Sequence, residues 1–383
     1  MYLKKKVENF FKRNTYAADW LYSHYRSDIE KTVSRNSDEL SAKDSIKSVE
    51  HLGKFKTSIE KDGVPFWSYD LNATESRMYG IHGSLFGEIK DRAVYFPSTE
   101  HGLILHNKNW TDTEQTSRAA CVTFGEFRKE ILRRYYKTPI FCVGPYIHYA
   151  NDYYDDKTMC EIKAKIGKNL LVFPTHGTDD SKITFSEKNF LDKISSIKDK
   201  FDSVTVCVYW WNLNDCIVKA LEKIGCHIVS AGYREDPNFL SRLKAIIDLS
   251  DLAIGDSIGT HIGYCLDRGK PFSYFDGNTQ KQDFVHIDNE DDAFVALHTD
   301  QLKKVFLDAT SIGEAQAEAA RYYWGTDQIK TKEQLYQMYL ITKKITVDCK
   351  GRKSKYPEYA QKLLLETSDL DASQRQLLYE SLI

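Results

Sequence analysis

Residues 249–275 read LSDLAIGDSIGTHIGYCLDRGKPFSYF. Leu252, Ala253 and Ile254 form a short apolar strand, and Asp256-Ser257-Ile258-Gly259-Thr260 is a small polar turn. Ile262 to Leu266 continues as a helix closed at Gly269, and Pro271 to Phe275 begins the next strand. A Ser/Gly/Thr turn that opens a helix after a strand is a natural anion site. Unpaired N–H groups and the positive helix end face it, and Gly259 lets an anion come close. The same residues also suit an ordinary βα turn with Ser257 or Thr260 as N-cap. The rest of the chain decides between the two.

Working outward, strands alternate with helices on a common pattern. Upstream, Asn169–Phe173, Val204–Trp211 and His227–Ser230 read as strands, with helices at Asn189–Phe201, Asn214–Ile224 and Asn238–Leu249. Earlier still come strands at Arg92–Pro97, Ala119–Phe124 and Pro139–Val143, with a basic helix over Gly125–Tyr136. Alternation of this kind implies parallel pairing in an α/β fold. The acidic stretch Asn151–Lys157 reads as a linker between two series. Residues 1 to about 60 are charged and helical in pattern, and helices return at Gly313–Tyr323, Lys332–Thr342 and Tyr356–Leu365.

Composition narrows the function. The chain has 383 residues, enough for two domains, and a net charge of −2, so no global basicity points to nucleic acid. Its eight cysteines are scattered, several inside apolar runs, with no CxxC pair; they read as reduced core residues of a cytosolic protein. No apolar run is long enough to span a bilayer. The N-terminal MYLKKKVENFFKRN lacks the apolar core of a signal peptide. It suits either an amphipathic helix on an anionic membrane surface or a solvated basic helix end. The expected location is cytoplasmic, with contact at the inner face of the membrane as the open alternative.

Four pieces in order give the chain a resemblance: Glu100-His101-Gly102 after a strand; Val122-Thr123-Phe124 through Val143-Gly144-Pro145; Phe173-Pro174-Thr175-His176-Gly177-Thr178; and Ser250-Asp251 through Asp256-Ser257 to Gly269-Lys270-Pro271. Over residues 90 to 275 the layout resembles GT-B-fold bacterial glycosyltransferases that build capsular, lipopolysaccharide or related surface polymers. The strand end Tyr209-Trp210-Trp211-Asn212 departs from the His-Pro usual there. The resemblance implies two Rossmann-like α/β domains facing a cleft, with extra N- and C-terminal helices. The expected domains are 1–150 on the acceptor side with a helical extension, 151–310 for the nucleotide sugar, and 311–383 as helices packing across both.

It further implies transfer of sugar from a nucleotide-activated donor to a glycan or lipid-linked glycan acceptor. Ser257, Ile258, Gly259, Thr260 and His261 would hold the donor phosphate, His261 adding charge if protonated. Strand ends in open α/β sheets share one crevice, so His176, Gly177 and Thr178 join them. The base would be His101 or Glu100, with His101 favoured because a histidine titrates near neutrality. Trp211, Tyr233, Arg234, Tyr146 and His148 would line the nucleotide or sugar; core or hinge packing is the competing role for several of them. No cofactor and no metal are expected: the one clear Asp-x-Asp, Asp369-Leu370-Asp371, sits in the C-terminal tail and resembles a helix cap. Glutamates with seven residues between them in the second half, a mark of retaining enzymes, occur only as Glu358 and Glu366 on a terminal helix. That favours an inverting displacement. A nucleotide-sugar epimerase of similar shape and a non-catalytic glycan- or nucleotide-binding scaffold are the alternatives.

Overall fold

The computed structural model describes residues 13–17, 78–108, 118–176, 181–184, 187–209, 212–213, 215–232, 236–277, 280–283, 288–366 and 369–383. The basic N-terminal helix expected over residues 1–14 lies almost wholly outside them.

The first half opens with helix α1 (Ile81–Phe86) and a three-stranded sheet, β1 (Ser98–Thr99), β2 (Cys121–Thr123) and β3 (Ile140–Cys142). All its pairs are parallel, and helix α2 (Glu126–Arg133) makes the crossover from β2 to β3. The second half begins with α3 (Asp156–Ile166) and runs through β4 (Asn169–Phe173), β5 (Ser181–Thr184), α4 (Glu187–Ile197), β6 (Ser203–Cys207), α5 (Cys216–Lys223), β7 (His227–Val229), α6 (Phe239–Asp248), β8 (Leu252–Gly255), α7 (Thr260–Asp267), β9 (Phe272–Tyr274) and β10 (Gln280–Asp283). Five of these strands form a parallel sheet in the order β7-β6-β4-β8-β9, while β5 and β10 pair antiparallel in a separate two-stranded sheet. Helices α8 (Asn289–Phe306), α9 (Glu314–Trp324), α10 (Lys332–Asp348), α11 (Tyr356–Leu365) and α12 (Ala372–Leu382) complete the chain. The fold is thus α/β with two Rossmann-like parallel sheets, as the alternating pattern predicts.

Burial follows strand periodicity. β4 is buried on both faces, as a central parallel strand should be. Leu170 and Val172 point to a core with Phe190, Ile194, Ile217 and Leu221 of α4 and α5. Leu171 and Phe173 point the other way, into a core shared with α6, α7 and the first sheet. That second core continues through Val122, Phe124 and Phe141 to Trp324, Met338 and Ile345 of the C-terminal helices. Backbone meets backbone at the junction. A Cβ on Gly144 (φ +75) would lie 2.7 Å from the Gly325 carbonyl oxygen, and one on Gly325 (φ +64) 2.2 Å from that of Phe124.

Three segments depart from the sequence reading. Arg92–Pro97 is not a strand: Ala93–Tyr95 forms a single 3-10 turn, closed by Tyr95 N–H to the Arg92 carbonyl at 3.0 Å. The turn sets the Phe96 ring 4.6 Å from His82 and 4.9 Å from Tyr339, and the strand starts only at Ser98. The acidic linker ends in a helix start, because the Asp155 side chain accepts from Thr158 N–H and caps α3. The pairing of β5 with β10 joins segments about a hundred residues apart, a contact no local pattern announces. The C-terminal Asp-x-Asp is a helix cap, with Asp371 in a capping box at the start of α12.

Candidate active site

The strand order fixes where a ligand can sit. From β4 the chain steps outward to β6 and β7, then returns to lay β8 and β9 on the other side. The connections after β4 and β8 therefore diverge, and the crevice at their carboxyl ends is the topological switch point. Asp256, directly after β8, is 6% exposed and ties the two strand ends together. Its Oδ1 accepts both the backbone N–H and the hydroxyl of Thr175 at 2.8 Å. The next residue, His176, stacks on Tyr209 beyond β6, with ring centroids 4.2 Å apart. Three strand ends thus meet around the 256–261 turn.

Helix α7 starts at Thr260, with Gly259 fully extended before it, and no side chain caps the helix. Neither Ser257 nor Thr260 plays the N-cap role open to them. Thr260 instead accepts the Leu103 N–H on its Oγ1 at 2.9 Å. A Cβ on Gly102 would sit 2.5 Å from the same oxygen, so only glycine fits beneath it. The Glu100-His101-Gly102 loop of the first sheet therefore lands on the first turn of α7. The Thr260 hydroxyl, with a lone pair engaged, keeps its proton for another acceptor.

His261 departs from the charged role considered for it. Its ring lies 4.9 Å from Phe173 and 5.2 Å from Phe272, and its Nε2 is sealed from solvent with no hydrogen-bond partner. Burial, reinforced by the nearby His176, lowers its pKa to about 3, while its hydrogen bond with the Ser257 backbone pulls the other way. The imidazole is neutral at physiological pH and adds no positive charge to the turn.

Two further expectations are corrected. Glu100 is 1% exposed and its carboxylate is occupied: Thr123 donates to Oε2 at 2.8 Å and Arg128 Nε to Oε1 at 2.9 Å. It anchors the loop and does not face a substrate. Tyr146 is wholly buried 4.5 Å from Phe124, so it belongs to the core between the sheets and lines no cleft. His148 is half exposed, its Nδ1 3.1 Å from Asp267 at the far end of α7. Burial raises the Asp267 carboxyl above the usual range. Gly177, Thr178, Trp211, Tyr233 and Arg234 lie outside the described residues. Among the described residues no three His, Cys, Asp or Glu side chains gather as metal ligands would.

Sequence reading missed Arg128 and Asp291. Arg128 is 2% exposed beside buried Phe127, Ile131 and Leu132 on α2. A charge on the apolar face of a helix is a readable sign of a buried partner. Asp291 is fully buried in the first turn of α8 and carries no such sign, because acidic residues are ordinary there.

No protein-family model and no curated protein matches the sequence. Among solved structures, the chain is similar to a histidine-to-alanine variant of the wall teichoic acid polymerase TagF at 15% identity, with a TM-score of 0.33, covering 77% of this chain and 71% of that one. A second structure of the same polymerase gives 16% identity and a TM-score of 0.29 over 71% of this chain and 60% of that one.

Proposed function

We propose that the protein is a GT-B-type glycosyltransferase that moves a sugar from a nucleotide-activated donor onto a bacterial surface glycan, without a metal and by direct displacement. The observation that carries this reading is the seating of the Gly102–Leu103 loop on the uncapped first turn of α7. On one side of that contact stands the first turn of α7 with the Ser257 and Thr260 hydroxyls, suited to a leaving phosphate. On the other stands a histidine-bearing loop, suited to taking a proton from an acceptor hydroxyl. The two halves of a transfer reaction need that separation and that proximity. The order of motifs over residues 90 to 275 supports the surface-glycan class of acceptor.

Thermal unfolding with CMP, CDP, UDP and GDP tests the reading first, since a nucleotide bound to the native state raises its apparent stability. At least one should raise the midpoint, and Ser257→Ala combined with Thr260→Ala should abolish the rise. Incubation with nucleotide sugars then distinguishes acceptor-dependent nucleotide release from an isomerised donor. No binding of any nucleotide would sink the proposal.

A further inference from the structure

We propose that the donor-phosphate site is completed across the two halves: Gly102 and Leu103 are positioning residues that set the Thr260 hydroxyl so that its proton points at the leaving phosphate. The inference rests on the transferase reading above and says how the first half takes part in holding the donor.

A hydroxyl turns about its C–O bond and carries one proton and two lone pairs. Left alone, the Thr260 hydroxyl would spread its proton over several directions. Leu103 N–H, 2.9 Å from Oγ1, takes a lone pair on the side of the first half. The proton then lies on another side, and among the described residues no group accepts it. Thr260 is the first residue of α7, where the helix dipole favours an anion and no side chain caps the end. An oxygen that accepts a hydrogen bond also donates a stronger one. Leu103 therefore aims the proton and strengthens its donation.

The first half presents that N–H from a braced loop. Arg128 Nε meets Glu100 at 2.9 and 3.2 Å where the chain leaves β1, and its Nη1 donates to the carbonyls of His106 and Lys108, each at 3.0 Å, where the chain comes back. Buried Asp291 holds the returning leg as well, with Oδ1 accepting Asn107 N–H at 2.7 Å and Oδ2 lying 2.6 Å from His106 Nδ1. Residues 100–108 are thus a strap with both feet fixed and its tip, Gly102 and Leu103, on α7. Gly102 is buried there, and a Cβ on it would come within 2.5 Å of Thr260 Oγ1. It lacks the positive φ that demands glycine, so alanine would displace the hydroxyl without straining the loop's own backbone.

Two partners of one hydroxyl are coupled. If the Leu103 bond improves phosphate binding by some factor, phosphate strengthens the Leu103 bond by the same factor. Nucleotide should therefore clamp the strap to α7.

The test measures affinity for CMP, CDP, UDP and GDP together with amide hydrogen exchange, in the full chain and its variants. In the unaltered protein, saturating nucleotide should slow exchange of the Leu103 amide by about tenfold, while the Thr158 amide, held by Asp155 in α3, keeps its rate. Gly102→Ala should weaken nucleotide binding by about tenfold or more, as loss of a hydrogen bond to a charged group does. Thr260→Val, which keeps the shape without the hydroxyl, should do the same, and Thr260→Ser should keep both affinity and protection. Parental affinity in Gly102→Ala or Thr260→Val overturns the inference, and the transferase reading stands if Ser257→Ala combined with Thr260→Ala still abolishes binding. Leu103 exchange that ignores saturating nucleotide overturns it too, because weakened binding without that protection is a packing effect. If Gly102→Ala does not fold, Leu103 exchange in the unaltered protein decides by the same criterion. If the unaltered protein binds no nucleotide, the transferase reading falls and this inference with it.

Discussion

At Glu100 and Arg128, 1% and 2% exposed, neither charge could be buried without the other. Removing one partner leaves an uncompensated charge, so Glu100→Gln should cost roughly 3–5 kcal/mol, read from denaturant midpoints. Nucleotide binding by the folded fraction should persist, because the carboxylate's bonds are to Thr123 and Arg128. A parental midpoint for Glu100→Gln would refute the anchoring role. His261 makes a second prediction. Its folded pKa of about 3 lies below the ordinary 6.5, so the unfolded chain takes up a proton that the folded chain refuses. Stability from this residue is fully present above about pH 6.5 and is lost as pH falls toward 3. His261→Phe, packed against the same Phe173 and Phe272, should lessen the loss of urea resistance between pH 7 and 4.5. An unchanged acid slope would show that the ring titrates in the ordinary range. The sequence marked Glu100, His101 and the Ser257–Thr260 turn through their neighbours in the chain. It could not assign the roles, because Arg128 and Leu103 reach them from 28 and 157 positions away.

Helix α7 is the element on which both halves meet. Its first turn takes Leu103, its last carries Asp267 against His148, and its middle is pressed against α9. A Cβ on Gly263 would lie 2.2 Å from Trp324 Cγ and Cδ1, and that ring is fully buried and cannot swing away. Gly263→Ala must therefore lift α7, costing about 1–3 kcal/mol as overpacking does. Nucleotide affinity should weaken too, because the same shift moves the Thr260 turn. Gly83→Ala in α1 is the control: a Cβ there meets nothing within 4 Å. It should raise stability by about 0.5–1 kcal/mol through helix propensity alone, leaving affinity untouched. Equal effects of the two substitutions would mean that α7 is not wedged. Elements like α7 were legible because apolar spacing and glycine stops are local signals. Arg92–Pro97 misled for the same reason. Its β-branched and aromatic residues suit a strand, but the Phe96 pocket formed by His82, Phe86 and Tyr339 is assembled from distant segments.

For the molecule as a whole, the α/β class was readable because buried parallel strands leave continuous apolar runs between helices. How the halves join was not readable, since the joint at α7 is completed by Trp324 and the helices that follow it. One core runs from Val122 and Phe141 of the first sheet, through Leu171 and Ala253 of the second, to Trp324, Met338 and Ile345. Neither sheet can lose its packing on this side without exposing the apolar face of the other. The halves should therefore unfold together, giving one calorimetric transition whose enthalpy matches the van't Hoff value. Trp324→Ala sharpens the test. It empties a fully buried indole site beside Phe306 and Gly263, and should cost about 3–5 kcal/mol. With a shared core, the whole transition moves down intact, and probes in either sheet report the same midpoint. With independent halves, the substitution splits the trace, lowering one transition and sparing the other. Two resolved transitions in Trp324→Ala would show that each sheet holds its own stability and that α9 merely rests between them.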